Sequence, residues 1–297
     1  VLAMLAYKNN DNWTPSIRSY ELSGGVKLEL GHRTLIMGIL NTTPDSFSDG
    51  GRFLEIEAAV QHARAMVADG VDIIDIGGES TRPGGEKVGL EEELRRVLPV
   101  IRAIRQELPD TAISIDTYKA ETARQALEAG AHIINDVWAL QADEDMASVA
   151  AAYGCPVILS HNRHDRNYAD FIPDVIADLR SSIGTALAAG VAAEQIWLDP
   201  GIGFAKDYEN NLTMMGNLQQ LTAIGYPVLL ATSRKRFIQN TLQLAAEQSI
   251  FGTAATVTLG IAQGCQIVRV HDVKEMKQTA KMADAIVYRQ KSLRNEF

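Results

Sequence analysis

The sequence predicts an α/β protein, an eight-stranded parallel β/α (TIM) barrel with a short N-terminal hairpin extension. Two observations carry that expectation. Eight short apolar runs recur along the chain, and the segments between them place apolar residues at three-to-four spacing. The runs are rich in Ile, Val and Leu and lack polar alternation, which suits strands covered on both faces by helices. Eight strands alternating with helices point to a closed barrel, with an open doubly wound sheet as the lesser alternative.

Taken in order, residues 20–28 read as a hairpin around Ser23-Gly24-Gly25, placed across the bottom of the barrel. Residues 1–33 then form an extension and residues 34–290 the barrel. The strand runs are 35–40, 73–76, 112–115, 132–134, 156–159, 196–198, 227–230 and 267–270. Helical periodicity occupies 58–67, 91–108, 120–129, 175–189 and 209–221. Gly70, Gly130, Gly190 and Gly225 follow such segments, where a residue free to turn left-handed stops a helix.

Composition bounds the function. The chain has 297 residues, 46% of them hydrophobic and 22% charged, enough for a large soluble core. A net charge of −9 argues against nucleic acid and against an anionic membrane surface, since both need a basic face. A small anionic ligand is compatible if cations gather at one spot. The two cysteines, Cys155 and Cys265, have neither metal-ligand spacing nor the number for a disulfide framework, so they read as buried fillers in a cytoplasmic protein. The opening apolar stretch, residues 1–6, is too short to span a membrane and lacks the charged start of a signal peptide.

In a barrel of this kind chemistry belongs to the carboxyl ends of the strands. Each run here leads into polar residues: Asn41 after the first, Glu79 to Arg82 after the second, then Asp116, Asn135-Asp136 and His161. Asp199 follows the sixth, Ser233-Arg234-Lys235-Arg236 the seventh, and the eighth carries Arg269 and ends at His271. A single Asp or Asn after a strand is as well explained as a helix cap. His161, close to Arg163 and His164, reads as a loop residue ahead of a metal ligand. Convergence distinguishes the set. Arg82, Lys235, Arg269 and His271 collect cations at one rim of an acidic protein, beside Asp116 and Asp199, which read as unpaired. Such a rim suits a ligand with a phosphate end and an amide-like end.

Six ordered segments also resemble the dihydropteroate synthase family: MGILNTTPDSFSDGG from Met37, DIGGESTRPG from Asp75, SIDT from Ser114, LDPGIGF from Leu198, Ser233-Arg234-Lys235 and Arg269-Val270-His271. The resemblance runs from about Leu30 to the C-terminal helix and implies a TIM barrel. It implies condensation of hydroxymethyl-dihydropterin pyrophosphate with p-aminobenzoate to dihydropteroate, as a step of folate synthesis and a target of sulfonamides. By the same resemblance Asn41 would bind Mg²⁺, while Thr81, Arg269 and His271, with Arg82 adjoining, would hold pyrophosphate. Asn135, Asp199 and Lys235 would meet the pterin edge, with Phe204 nearby. Asp116 would contact the pterin and supply the counter-charge to a developing cation. Phe47 and Pro83 would wall the p-aminobenzoate pocket from two Gly-rich loops, 42–51 and 77–85, and Arg236 would bear on its carboxylate. Catalysis would rest on Asp116, Lys235, Arg269 and His271, in a homodimer.

The sequence departs from the family pattern at Ser160, where Met is common, at Ala231, where Gly is common, and at Arg236, where Ser is common. Those changes bear on pocket affinity and sulfonamide response. Two rival readings share the scaffold. A pterin-dependent methyltransferase would have no use for the Phe47 loop or the Arg269/His271 pair. A silent pterin-binding paralogue would have no need to keep Asn41, Asp116, Lys235 and Arg269 together.

Overall fold

In a computed structural model of the chain, residues 17–42, 52–79 and 87–288 are described. Strands β1 (Arg18–Glu21) and β2 (Lys27–Leu30) pair antiparallel as a hairpin, with a 3₁₀ turn at Ser23–Gly25. The barrel strands follow: β3 (Leu35–Asn41), β4 (Ile73–Gly77), β5 (Ala112–Asp116), β6 (Ile133–Asp136), β7 (Val157–Ser160), β8 (Ile196–Asp199), β9 (Leu229–Leu230) and β10 (Ile267–Val270). All are parallel, in the order β8-β7-β6-β5-β4-β3-β10-β9. The ring closes where Leu198 of β8 bridges Val228, just before β9, and its N–H donates to Pro227 O at 2.8 Å. Every predicted run is a strand, and the parallel barrel is the fold the sequence called for.

The helices wrap the outside: α1 (Arg52–Ala68), α2 (Leu90–Glu107), α3 (Ala120–Ala129), α4 (Met146–Tyr153), α5 (Phe171–Ala188), α6 (Tyr208–Met215), α7 (Leu218–Thr222), α8 (Arg236–Leu242), α9 (Ile250–Ala262) and α10 (Val273–Val287). One expectation needs correction. Residues 209–221, read as a single helix, are α6 and α7, divided at Gly216-Asn217. Asn217 leaves helical geometry at φ −131°, so the apolar spacing continues while the backbone turns. Helices α4, α8 and α9 add to the segments read from periodicity. Helix α4 is short and Ala-rich, and α9 is apolar almost throughout, so neither shows a clear polar face.

Alternate strand residues divide into two buried clusters. Ile36, Ile74, Ile113, Ile134, Leu198 and Val268 point outward and pack under the helices. Met37, Ile73, Ala112, Ile133, Ile158, Trp197, Leu229 and Ile267 form the second cluster with Tyr20, Leu22, Val26, Leu28 and Leu30 of the hairpin. The hairpin therefore seals the lower interior. Tyr20 lies edge-on to Trp197, with ring centres 5.6 Å apart, and its hydroxyl accepts from Trp197 Nε1 at 2.8 Å while donating to Glu194 O at 2.8 Å. A Trp in a sealed interior needs its N–H satisfied, and Tyr20 does this while adding apolar area. Cys155 and Cys265 are free thiols, both buried, and burial raises both pKa values, that of Cys155 to about 12.

Candidate active site

At the next inward position along each strand, two residues on, the interior changes character. Met37 pairs with Ile73 and Ile73 with Ala112 at the floor, whereas two residues on Asp75 pairs with Ser114 and Ser160 with Asp199. At the next inward position Gly77 pairs with Asp116, and Asp116 with Asn135. The polar mouth is thus built by the same alternation that builds the apolar floor.

Arg269 is the hub of this layer. Its Nε meets Asp75 Oδ2 at 2.6 Å and its Nη2 meets Asp116 Oδ2 at 2.6 Å. Asn135 Nδ2 donates to the same Asp75 oxygen at 3.2 Å. Asp116, read as unpaired from sequence, is therefore paired, because Arg269 comes from β10 on the far side of β3 and β4, a neighbour that linear sequence does not reveal. Burial, together with Asp75, Glu93 and Asp136, still pushes the Asp116 carboxyl up to about 7 against the pull of Arg269. Asp75 was not singled out from sequence. Its signal was a charge inside an otherwise apolar strand, Ile73-Ile74-Asp75-Ile76, where a carboxylate needs a partner.

Asp199 and Lys235 form the second half of the site. Asp199 is buried, its pKa is raised by that burial, and its Oδ1 accepts from Gly201 N–H at 2.7 Å. Lys235 Nζ donates to Ile202 O and sits 4.9 Å from the centre of the Phe204 ring. Burial lowers the Lys235 ammonium to about 8, with Asp199 opposing the shift. Ser233 shares a hydrogen bond of 2.9 Å with His271 Nδ1 and accepts from His271 N–H at 3.2 Å, which fixes the imidazole at the rim.

The remaining sequence candidates divide. Asn41 ends β3, half-buried, and its amide meets no hydrogen-bond partner among the described residues. Arg236 is the first residue of α8 and is exposed, with no bond to the groups above. Asp136 is a turn residue, accepting from Trp138 N–H at 2.8 Å and Leu140 N–H at 2.7 Å. Ser160 and Ala231 are both buried, Ala231 within the floor cluster. His161 is fully buried, and its ring links Lys206 to Asp178. Phe47, Thr81, Arg82 and Pro83, with most of the two Gly-rich loops, lie outside the described residues.

The layer leaves polar capacity unused. Asp75 Oδ1, Ser114 Oγ, Asp116 Oδ1 and Asn135 Oδ1 are buried with no hydrogen-bond partner among the described residues. Each such atom costs about 1–3 kcal/mol unless something satisfies it. Four together at the mouth of a barrel mark a place for a ligand rich in donors.

Comparison with known proteins agrees. The pterin binding enzyme family matches residues 37–271. A Bacillus subtilis dihydropteroate synthase is 55% identical over 260 residues, 88% of this chain and 91% of that protein. A Clostridium difficile dihydropteroate synthase, solved in the presence of pteroic acid, is 51% identical with a TM-score of 0.85, covering 87% of this chain and 98% of that one. The Xanthomonas albilineans enzyme solved with 4-aminobenzoic acid is 40% identical with a TM-score of 0.85, covering 91% and 98%. With its barrel, its buried carboxylates and these relatives together, the chain belongs to the dihydropteroate synthase family of pterin-binding enzymes.

Proposed function

We propose a division of labour among the residues of this site for the reaction of its family. The chain is a transferase that joins hydroxymethyl-dihydropterin pyrophosphate to p-aminobenzoate, giving dihydropteroate and pyrophosphate. The observation that carries the assignment of roles is the buried layer around Arg269, in which Asp75, Asp116 and Asn135 keep oxygens without a partner among the described residues. A pterin edge presents N–H donors in one plane. In this reading Asp116, Asn135 and Asp199 act as acceptors for it, and Lys235 as a donor to its ring nitrogen or oxo group.

The bond that breaks joins the pterin methylene to the bridging oxygen of pyrophosphate, and the electron pair leaves with that oxygen. Arg269 and the Ser233-held His271 stabilise the departing anion, with Thr81 and Arg82 from the adjoining loop. The methylene cation that develops is stabilised by the Asp116 carboxylate. The aniline nitrogen is neutral at pH 7 and forms the new C–N bond without a general base, and the resulting ammonium then gives its proton to water or to the released pyrophosphate. Phe204 lies beside Lys235 at the pterin end, while the loop residues Phe47 and Pro83, with Arg236 at the start of α8, serve the p-aminobenzoate end, where water must be kept from the cation.

Asn41 fits Mg²⁺ in one respect: its carbonyl oxygen is a hard neutral ligand at the strand end nearest Gly77. Among the described residues no group of three His, Cys, Asp or Glu could hold a metal. Asn41 would thus hold an ion that arrives with the pyrophosphate, and that ion would neutralise leaving-group charge. A homodimer is supported by apolar side chains exposed on neighbouring helices, Phe251 and Leu259 of α9 and Met282 and Ile286 of α10. Among the described residues no helix is long and apolar enough to cross a membrane. The two free buried thiols support a reducing cytoplasm.

The test is pyrophosphate release from the pterin pyrophosphate with Mg²⁺, with and without p-aminobenzoate. Release that depends on p-aminobenzoate and yields dihydropteroate supports these roles. Pterin binding without release would identify a silent paralogue and overturn them.

A further inference from the structure

We infer that Lys206, a residue outside the pterin contacts, is a positioning residue that holds the loop 200–206 in the shape that seats Lys235. The inference rests on the reading of Lys235 as a pterin-edge group. Lys206 is 4% exposed, and its Nζ meets three acceptors: Gly201 O at 3.0 Å, Phe204 O at 3.1 Å and His161 Nδ1 at 2.8 Å. An ammonium has three N–H groups, so the charged form is fully used here, although burial lowers its pKa to about 7.

The third contact depends on a relay. His161 Nε2 meets Asp178 Oδ2 of α5 at 2.9 Å, and Arg163 Nε bonds the same oxygen at 2.6 Å. Burial and the Lys206 charge hold the imidazole neutral, its pKa pushed down to about 3. A neutral ring that donates from Nε2 to Asp178 leaves the Nδ1 lone pair for Lys206. Polar contacts therefore run from α5 through β7 to the inside of the loop.

The loop needs such a grip. Gly201 has φ +67°, and a Cβ there would lie 1.8 Å from His161 O. Ala205 is left-handed at φ 46°, a conformation an L side chain resists, and Tyr168 OH donates to its carbonyl at 2.9 Å. Lys206 holds the carbonyls of Gly201 and Phe204, on either side of Ile202. Ile202 O is the acceptor for Lys235, and the Phe204 ring lies beside the same ammonium. Two lysines thus grip one short loop, one from within the protein and one from the site.

The experiment compares Lys206→Met, Lys235→Met and Tyr168→Phe in the full chain. It measures KM for both substrates and the pH profile of kcat/KM for the pterin. For Lys206→Met the expected result is a pterin KM raised roughly tenfold or more, with the p-aminobenzoate KM within about twofold of the parent. The alkaline limb assigned to Lys235 should move to higher pH, since burial is what lowers this ammonium and a loosened loop encloses it less. Asp199, Arg269 and Asp116, the charged groups that act on Lys235, remain in place. Tyr168→Phe should move the pterin KM the same way by about two- to threefold. An equal rise in both KM values, or no change in either with the limb unmoved, overturns the inference. If Lys206→Met does not fold, Tyr168→Phe decides, and an unchanged pterin KM overturns it. Loss of pterin affinity in Lys235→Met alone overturns only this inference; an unaffected Lys235→Met overturns the reading of Lys235 as well.

Discussion

The floor and the mouth of the barrel interior are made from the same strands at alternate residues, yet they are opposite in physical character. The floor holds Met37, Ile73, Ile133, Ile158 and Trp197, sealed by the hairpin, and Trp197 Nε1 there is satisfied by Tyr20. At the inward positions further along, the mouth holds Asp75, Ser114, Asp116, Asn135 and Asp199, with four buried atoms that have no hydrogen-bond partner among the described residues. Stability is gathered at one end of the barrel and held in reserve for a ligand at the other. The difference teaches that this scaffold separates folding from chemistry by position along each strand.

The comparison breaks most sharply under Trp197→Ala, which opens a cavity in the floor and strips Tyr20 of its donor. We expect a loss of about 3–5 kcal/mol in unfolding free energy, as for other buried aromatic deletions. Turnover per folded molecule should stay within about twofold, since Trp197 is packed in the floor against the hairpin and makes none of the polar contacts around Arg269. Denaturant unfolding and active-site titration check the two halves separately. A large fall in kcat at unchanged stability would erase the distinction between floor and mouth.

Asp116→Asn is the converse change. It should leave the protein folded and lower turnover by about a hundredfold or more, the usual cost of one preorganised electrostatic group. Steady-state kinetics and circular dichroism are the checks, and unchanged turnover would refute the counter-charge role.

The pH dependence sharpens the same contrast. The Asp116 carboxyl is raised from 3.8 to about 7, so the folded state binds this proton more tightly than the unfolded chain does. Between those values this group makes stability fall as pH rises, while its ionisation, in the counter-charge role proposed for it, should make turnover rise through pH 7. The two slopes have opposite sign, by up to about tenfold in rate per pH unit on the acid side. Asp116→Asn should flatten that part of both profiles, read from thermal melts and rate profiles at matched ionic strength. The smallest effect belongs to Tyr20→Phe, which removes one hydroxyl linking Trp197 to Glu194 O. It should cost about 1 kcal/mol, a typical buried hydrogen bond, without altering either KM.

The sequence made the floor and the strand order legible, because apolar runs report burial on both faces whatever they pack against. Its site candidates were legible as positions, since each follows a strand run: Asp116, Asn135, Asp199, Lys235, Arg269 and His271 all stand where the barrel gathers them. Pairing was not legible. Arg269 reaches Asp75 and Asp116 across neighbouring strands separated from it by 194 and 153 residues. Asp75 hid inside an apolar run, and Lys206 lay just past the LDPGIGF segment, with no local pattern to mark a buried amine. The break at Asn217 was hidden because hydrophobic spacing carries through a short turn that the backbone does not follow.

The closure of the ring has a dynamic consequence. Strand β9 has two residues, and it meets β8 through the bridge from Leu198 to Val228 and the bond to Pro227 O. Every other junction is a longer ladder or, at β10, a pair backed by β3. Local opening follows the seam with the fewest backbone bonds. The amide proton of Leu198 should therefore exchange ahead of those in β4 and β5. The loops that carry Asp199 and Lys235 spring from the two strands that flank this seam, so opening there would move these two groups apart.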